Sequence, residues 1–151
     1  MAGASFEQFY EETYGALAGY ALSLVGDDNT AHDLAQEAMV RVYVRWGLLR
    51  EARPYAYRIV TNLARDRWRR ARTERMALPD LLAQPIAGPD LTVLDAVERL
   101  PSGLRDVVLL HYYADLSVEQ VARALHRPAG TVKRRLSEAR AALARDLGGD
   151  R

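Results

Sequence analysis

The stretch that decides the fold is SVEQVARALHRPAGTVKRRLSEARAALARDL, which occupies residues 117–147 of the 151-residue chain. Ser117 and Gln120 have the spacing of a capping box, so a helix is predicted over Val118–Leu125. The sequence HRP at 126–128 breaks that helix, because proline disfavours a helical residue before it. A longer helix follows, with apolar residues at helical spacing. Two helices joined by so short a turn predict a helix-turn-helix.

Projected at about 100° per residue, the second of these helices separates into an apolar and a polar face. The apolar residues are Val132, Leu136, Ala139, Leu143 and Leu147. The polar residues that occupy or flank the other face are Thr131, Lys133, Arg134, Arg135, Ser137 and Glu138. A recognition helix needs this division, and it predicts base contacts by Arg134, Arg135 and Glu138. Thr131 and Lys133 are predicted to hold phosphates. The alternative is an ordinary amphipathic hairpin.

A helix in the first half of the chain is predicted from near Pro54 to about Arg72, because proline is favoured in a first turn. Its polar residues fall within an arc of about 80° on the same projection. We call this set the arginine arc: Arg58, Asn62, Arg65, Arg69 and Arg72. The core face consists of Ala56, Ile59, Val60 and Leu63. Guanidinium groups suit phosphate oxygens, so the arc predicts contact with a polyanion, the alternative being a solvated face. For Trp68, at the edge of the arc, stacking on an unpaired base and packing at the core edge both stay open.

The helix before it, predicted over residues 31–46 with Asn29 or Thr30 as its cap, carries a polar stripe. This helix is the second along the chain, and we therefore name the set the α2 stripe: Asp33, Gln36, Glu37 and Arg41. Glu37 and Arg41 form a favourable pair, whereas Asp33 and Glu37 repel mildly. Such a stripe is more often a solvated helix face than a partner-binding surface, and the residues alone favour the former.

Segment 76–92 divides the chain, because its prolines and glycine remove amide donors and disfavour helix. The sequence therefore predicts an all-α protein of two small helical domains, 1–75 and 93–151, joined by a flexible linker. Before the helix-turn-helix, the second domain has a predicted helix over 93–100 and another over 103–113 that is capped by Ser102. The first domain opens with a predicted helix over Phe6–Val25.

Charge and composition narrow the class of protein. Residues 51–75 carry eight arginines against three acidic residues, and residues 104–151 carry nine basic against six acidic residues. Two basic blocks between acidic ones favour two contacts with a polyanion. Without cysteine, disulfides and thiolate sites are excluded. The scattered histidines predict no metal site, and no cofactor or small-molecule substrate is expected. With no secretory signal or membrane span, a cytoplasmic protein is predicted.

Three motifs, in this order, resemble the extracytoplasmic-function sigma factors, the smallest class of the sigma-70 family. DLAQEA at 33–38 is similar to that family's helix for binding core polymerase. PYAYRIVTNLARD at 54–66, followed by WRR at 68–70, resembles its promoter-melting helix. PAGTVKRRL at 128–136 resembles its recognition helix, although Arg134 stands where the family often has a serine. The likeness covers residues 6–147 and is closest to actinobacterial members.

The resemblance implies that the protein is not an enzyme and binds RNA polymerase core enzyme and promoter DNA. The α2 stripe would contact the clamp coiled coil of the polymerase. The −10 element would be bound by Arg58, Asn62, Arg65, Trp68, Arg69 and Arg72. The −35 element would be read by Thr131, Lys133, Arg134, Arg135, Ser137 and Glu138. An anti-sigma factor is a further implied partner.

Two other classes compete with this interpretation. A stand-alone helix-turn-helix regulator would use its N-terminal half for sensing or dimerisation, which needs an apolar seam outside the core. A nucleic-acid-processing enzyme would need clustered carboxylates for a metal ion, and Asp27 and Asp28 have no obvious companions.

Overall fold

The computed structural model describes residues 5–77, here the N-terminal half, and residues 91–148, the C-terminal half. No strand occurs in these two ranges, so the predicted all-α class is confirmed. The central part of the predicted linker, residues 78–90, lies outside the described residues. None of the described helices is long and apolar enough to span a membrane.

The N-terminal half is a bundle of α1 (Phe6–Val25), α2 (Asp28–Val44) and α3 (Ala52–Ala77), with a 3-10 turn at Trp46–Leu48. Each helix packs against the other two. The predicted core face of α3 is confirmed, since Ala56, Ile59 and Val60 are buried and Leu63 packs against them. The predicted cap of α2 was wrong: the Asp27 carboxylate, not Asn29 or Thr30, accepts the Thr30 amide hydrogen at 2.9 Å.

The geometry of this turn explains why Asp27 is the cap. Gly26 ends α1 in the left-handed conformation, with φ 75°, and donates its amide hydrogen to Leu22. Only Gly26 and Asp27 separate the two helices, so the residue after Gly26 takes the capping position of α2. Hydrogen bonds from the hydroxyl and amide of Thr30 lower the pKa of the Asp27 carboxyl.

The C-terminal half contains α4 (Leu91–Arg99), α5 (Ser102–Val108), α6 (Val118–Leu125) and α7 (Ala129–Gly148). The predicted single helix over 103–113 was wrong in two respects. Pro101 is the cap residue of α5 and Ser102 makes no capping hydrogen bond. A π-helical turn, Leu109–Tyr113, continues α5. Its wider winding buries the consecutive Leu109 and Leu110 together.

The two halves pack against each other, which the sequence did not predict. α3 contacts α6 and the π-helical turn, and buried residues of both halves form one continuous cluster. Two ion pairs cross this interface, Arg65 with Asp106 and Glu51 with Arg123. One side of α3 is therefore covered by the C-terminal half.

Candidate nucleic-acid interface

The predicted helix-turn-helix is formed by α6 and α7. Ser117 accepts the Gln120 amide hydrogen and the Gln120 side chain accepts from the Ser117 amide, which confirms the capping box. His126 turns the chain in the left-handed region at φ 54°, where a residue other than glycine is uncommon. The amide of Arg127 then donates to the Ala122 carbonyl at 3.0 Å, so α7 begins almost directly after α6.

The inner face of α7 agrees with the prediction over its first three turns. Val132, Leu136 and Ala139 are buried, whereas Leu147 at the far end is 37% exposed. Leu147 was predicted to lie on the apolar face, but it sits near the end of a 20-residue helix that extends past its support. The buried face fixes the rotation of α7 and thereby which side chains point outward.

Most of the predicted base-reading residues lie on the exposed surface of α7. The exposed members are Lys133, Arg134, Ser137 and Glu138, and Thr131 is half-buried. Arg134 Nε lies 3.7 Å from Glu138 Oε1, and both side chains are more than half exposed. This pair is weak because water screens it, so Arg134 is free to exchange the carboxylate for a base edge. A guanidinium group has parallel donors that suit the O6 and N7 atoms of guanine.

Arg135 is placed differently from Arg134. It is half-buried, and a Cβ built on Gly103 of α5 would lie 3.4 Å from the Arg135 guanidinium carbon. The side chain thus lies against the backbone of α5, where glycine leaves room for it. The contact of Arg135 with base edges stays a prediction. The local sequence held one signal of this contact, the glycine in the second position of α5.

Arg65, at the centre of the arginine arc, faces the C-terminal half. Arg65 Nη1 donates to Asp106 Oδ1 at 2.9 Å, and Arg65 Nη2 donates to Asn62 Oδ1 at 2.7 Å. Arg58 is half-buried and Arg69 is exposed, with Asp66 at 3.9 Å. The Arg72 side chain lies outside the described part of the structure. The fold therefore brings Asn62 and Arg65 together but turns them toward α5.

Trp68 packs at the edge of the core. Its indole nitrogen donates to the Leu24 carbonyl at 3.0 Å, and its ring contacts the buried cluster. The packing interpretation therefore describes its position in this structure. Beside it lies an open cleft of about 280 Å³. The cationic side chains in its lining, Arg67 and Arg70, were not among the predicted site residues, because they project onto the core side of α3. They escape burial since α3 extends beyond the other two helices.

The whole α2 stripe is exposed. Asp33, Gln36, Glu37 and Arg41 all face outward, with Arg41 Nη2 at 3.4 Å from Glu37 Oε1. The Gln36 amide also donates to the Tyr10 hydroxyl at 3.1 Å, which anchors this stripe to α1.

Two apolar residues extend the same face of α2, and sequence reasoning missed them. Val40 is 56% exposed and Val44 is 74% exposed. Their spacing from Gln36 and Glu37 was the available signal, since residues three or four apart share a helix face. The two valines therefore add exposed apolar area to the polar stripe.

These features define a helical DNA-binding protein with a helix-turn-helix in one half and, in the other, an exposed polar face that carries two valines. Family models agree with that class. The model for sigma-70 region 2 matches residues 9–74, and the model for sigma-70 region 4 matches residues 90–143.

Relatives give the same assignment, and solved structures share the fold. The chain is 32% identical over 153 residues to the RNA polymerase sigma-E factor of Streptomyces coelicolor, covering 94% of this chain and 85% of that protein. It is 31% identical over 147 residues to the extracytoplasmic-function sigma factor SigW of Bacillus subtilis, covering 82% and 79%. CnrH, solved with the cytosolic domain of CnrY, matches with a TM-score of 0.66, 26% identity and coverage of 97% and 89%. RpoE of Bartonella quintana, solved with the anti-sigma factor NepR, has the same fold, with a TM-score of 0.60, 22% identity and coverage of 97% and 98%.

The chain belongs to the extracytoplasmic-function sigma factors of the sigma-70 family. The resemblance drawn from three sequence motifs is confirmed, and the findings support that class over a stand-alone regulator.

Proposed function

We propose that this sigma factor docks on core RNA polymerase through the α2 stripe and reads promoter DNA with α3 and α7. The observation that carries the proposal is that both sigma regions are matched in order, each on helices with an outward polar face. It acts in the cytoplasm by binding and positioning, with no catalytic chemistry of its own.

The docking step rests on the exposed surface of α2. Four polar side chains and two valines share it, so a partner helix would bury apolar area in the middle of a charged rim. Interfaces are commonly built this way, with an apolar centre that excludes water and polar groups that set orientation.

The DNA-reading step rests on two cationic surfaces of different kinds. α7 offers Arg134 and Lys133 on an exposed face, which suits the major groove of a duplex −35 element. α3 offers Asn62, Arg65 and Arg69, and its guanidinium groups suit the phosphates of an opened −10 element.

An anti-sigma factor is the regulatory partner that we propose. RpoE was solved with the anti-sigma factor NepR and CnrH with the cytosolic domain of CnrY, and both structures match 97% of this chain. A partner of this kind would compete with polymerase for the exposed face of α2.

The test is reconstitution with core polymerase and run-off transcription over a library of genomic promoters. We expect the chain to bind core enzyme and to direct initiation at a defined set of promoters. Glu37→Lys reverses one charge in the stripe and is expected to weaken core binding at least about tenfold. Glu11→Lys makes the same charge change on an exposed site of α1 and is the matched control. A chain that binds an operator alone and ignores core polymerase would overturn the proposal.

A further inference from the structure

Asp106 of α5 holds Arg65 of α3 in the interface between the two halves. The Arg65 and Asp106 side chains are only 16% and 19% exposed, and their atoms are 2.9 Å apart. The other crossing ion pair, Glu51 with Arg123, is more exposed, with side chains at 38% and 52%. The Arg65–Asp106 pair is therefore the less screened of the two ionic contacts.

The surroundings of this pair are cationic. Arg105, beside Asp106 in α5, is partly buried and close enough to Arg65 and Arg69 to feel both charges. Burial first, and then the Arg65 charge, lower the pKa of the Arg105 guanidinium. The carboxylates of Asp106 and Glu98 act in the opposite direction and raise the pKa of Arg105. Arg65, Arg69 and Arg105 thus lie close together. Among them, Arg65 forms the direct ion pair with Asp106.

The hydrogen bonds of these arginines are incomplete. The Nε atoms of Arg65 and Arg105 are both buried, and neither has a hydrogen-bond partner among the described residues. Leaving a buried cationic donor unpaired destabilises the closed arrangement. Asp106 therefore links the two halves, but it leaves the buried Nε–H donors of Arg65 and Arg105 without acceptors among the described residues.

We propose that Asp106 occupies Arg65 in place of a DNA phosphate, so that the free chain closes its own −10 surface. The inference rests on the proposed role of the arginine arc. A carboxylate and a phosphate both offer oxygen acceptors to a guanidinium fork, so one group can replace the other at Arg65. Opening the interface would then expose Asn62 and Arg65 together, and binding of the polymerase core would have to supply the free energy for it.

The experiment measures opening and DNA binding separately in the full chain. The sequence has no cysteine, so Glu11→Cys and Ala144→Cys, both at exposed positions, allow clean labelling for energy transfer between the halves. Binding is measured by anisotropy on a labelled, A·T-rich single-stranded oligonucleotide. Asp106→Asn is expected to lower transfer and to raise affinity about fivefold or more, as a larger fraction becomes competent to bind.

A matched control separates this effect from a general gain of positive charge. Asp146→Asn removes one charge from the same half and breaks the exposed pair with Arg99. It is expected to change transfer little and affinity by less than about twofold. An equal gain in affinity in both variants would overturn the proposal.

Two further variants tell the failure modes apart. Arg65→Asp with Asp106→Arg reverses the pair, and transfer should return toward the wild-type value even if Asp106→Asn folds poorly. Arg65→Ala with Asp106→Asn should stay open but lose the gain in affinity. Unchanged transfer in Asp106→Asn, with no recovery on reversal, would overturn the closing role of Asp106. Lower transfer with unchanged affinity would instead contradict the DNA-binding role proposed for Arg65, and the self-inhibition with it.

Discussion

Arg134 is the residue on which promoter choice is expected to depend most. Its side chain is 67% exposed on the outer face of α7 and pairs weakly with Glu138 on the next turn. Arg135, the next residue, packs on α5 at Gly103. A rotation of about 100° along the helix therefore separates the exposed Arg134 side chain from the Arg135 side chain, which packs on α5.

Arg134→Ala should relax base preference at one position of the −35 element and cost about 1–3 kcal/mol of specific binding. Selection from a randomised promoter library by the reconstituted holoenzyme measures this directly. Arg145→Ala removes the same charge near the end of α7 and should leave preference unchanged, whereas Arg69→Ala should weaken all sequences alike. Identical selected sequences for Arg134→Ala and wild type would contradict the orientation of α7.

A buried hydroxyl pair gives a second prediction for single residues. Thr61 Oγ1 donates to the Tyr57 carbonyl at 2.7 Å, so the Tyr20 hydroxyl, 2.6 Å away, must donate to Thr61. Tyr20→Phe should cost about 1 kcal/mol at neutral pH, measured by urea unfolding. Thr61→Val should cost more, about 1–3 kcal/mol, because it leaves the buried Tyr20 hydroxyl unpaired.

The same tyrosine predicts a dependence on alkaline pH. Burial raises the pKa of the Tyr20 phenol far above its ordinary value of 10.0. Above pH 10 the unfolded chain would ionise this group while the folded chain keeps it neutral, so stability falls as pH rises. The loss approaches about 1.4 kcal/mol per pH unit. Tyr20→Phe removes this contribution, and the stability gap between the two proteins should narrow between about pH 9 and pH 11. A gap that stays constant over that range would contradict the raised pKa.

Among the helices, α6 depends on its ends more than the longer ones do. It has only eight residues, and isolated helices of that length are marginal in water. Its capping box satisfies amide donors at one end, and the left-handed His126 ends it at the other. α5 is one residue shorter and has no side-chain cap, and the π-helical turn that continues it is stabilised by burial of Leu109 and Leu110.

Ser117→Ala should therefore cost about 1 kcal/mol, which corresponds to roughly 2–4 °C in thermal unfolding for a chain of this size. Ser102→Ala is the matched control, since Ser102 was expected from the sequence to cap a helix and does not. It should change stability by less than about 0.5 kcal/mol. Equal losses in the two variants would show that the assignment of caps is wrong.

For the whole molecule, the continuous cluster of buried residues couples the two halves. Both tryptophans, Trp46 and Trp68, lie in the N-terminal half, whereas helices of both halves contribute to circular dichroism. We expect urea unfolding followed by tryptophan fluorescence to coincide with unfolding followed by circular dichroism. In Asp106→Asn the two curves should separate. Separate transitions in the wild-type chain would mean that the interface contributes little to stability.

Much of this protein could be predicted from local sequence. Helical periodicity gave the all-α class and the buried faces of α3 and α7, and the capping box gave the start of α6. The bounds of α1 were predicted correctly, but the cap of α2 was missed, because Gly26 and Asp27 share one tight turn. Consecutive leucines at 109 and 110 gave no periodic signal of a π-helical turn. Exposure of Val40 and Val44 was missed because valine in a helix usually signals a core.

What the sequence determined by itself is the identity of each helix, the order of the motifs and the polar face of each, since these depend on residues within a few turns. Only the tertiary structure decided what those faces meet. Arg65 and Asp106 are 41 positions apart, and no local pattern could show that the carboxylate on α5 would bind the centre of the arginine arc. That outcome depends on two separately folded surfaces fitting together, which is a property of shape and charge across the whole molecule.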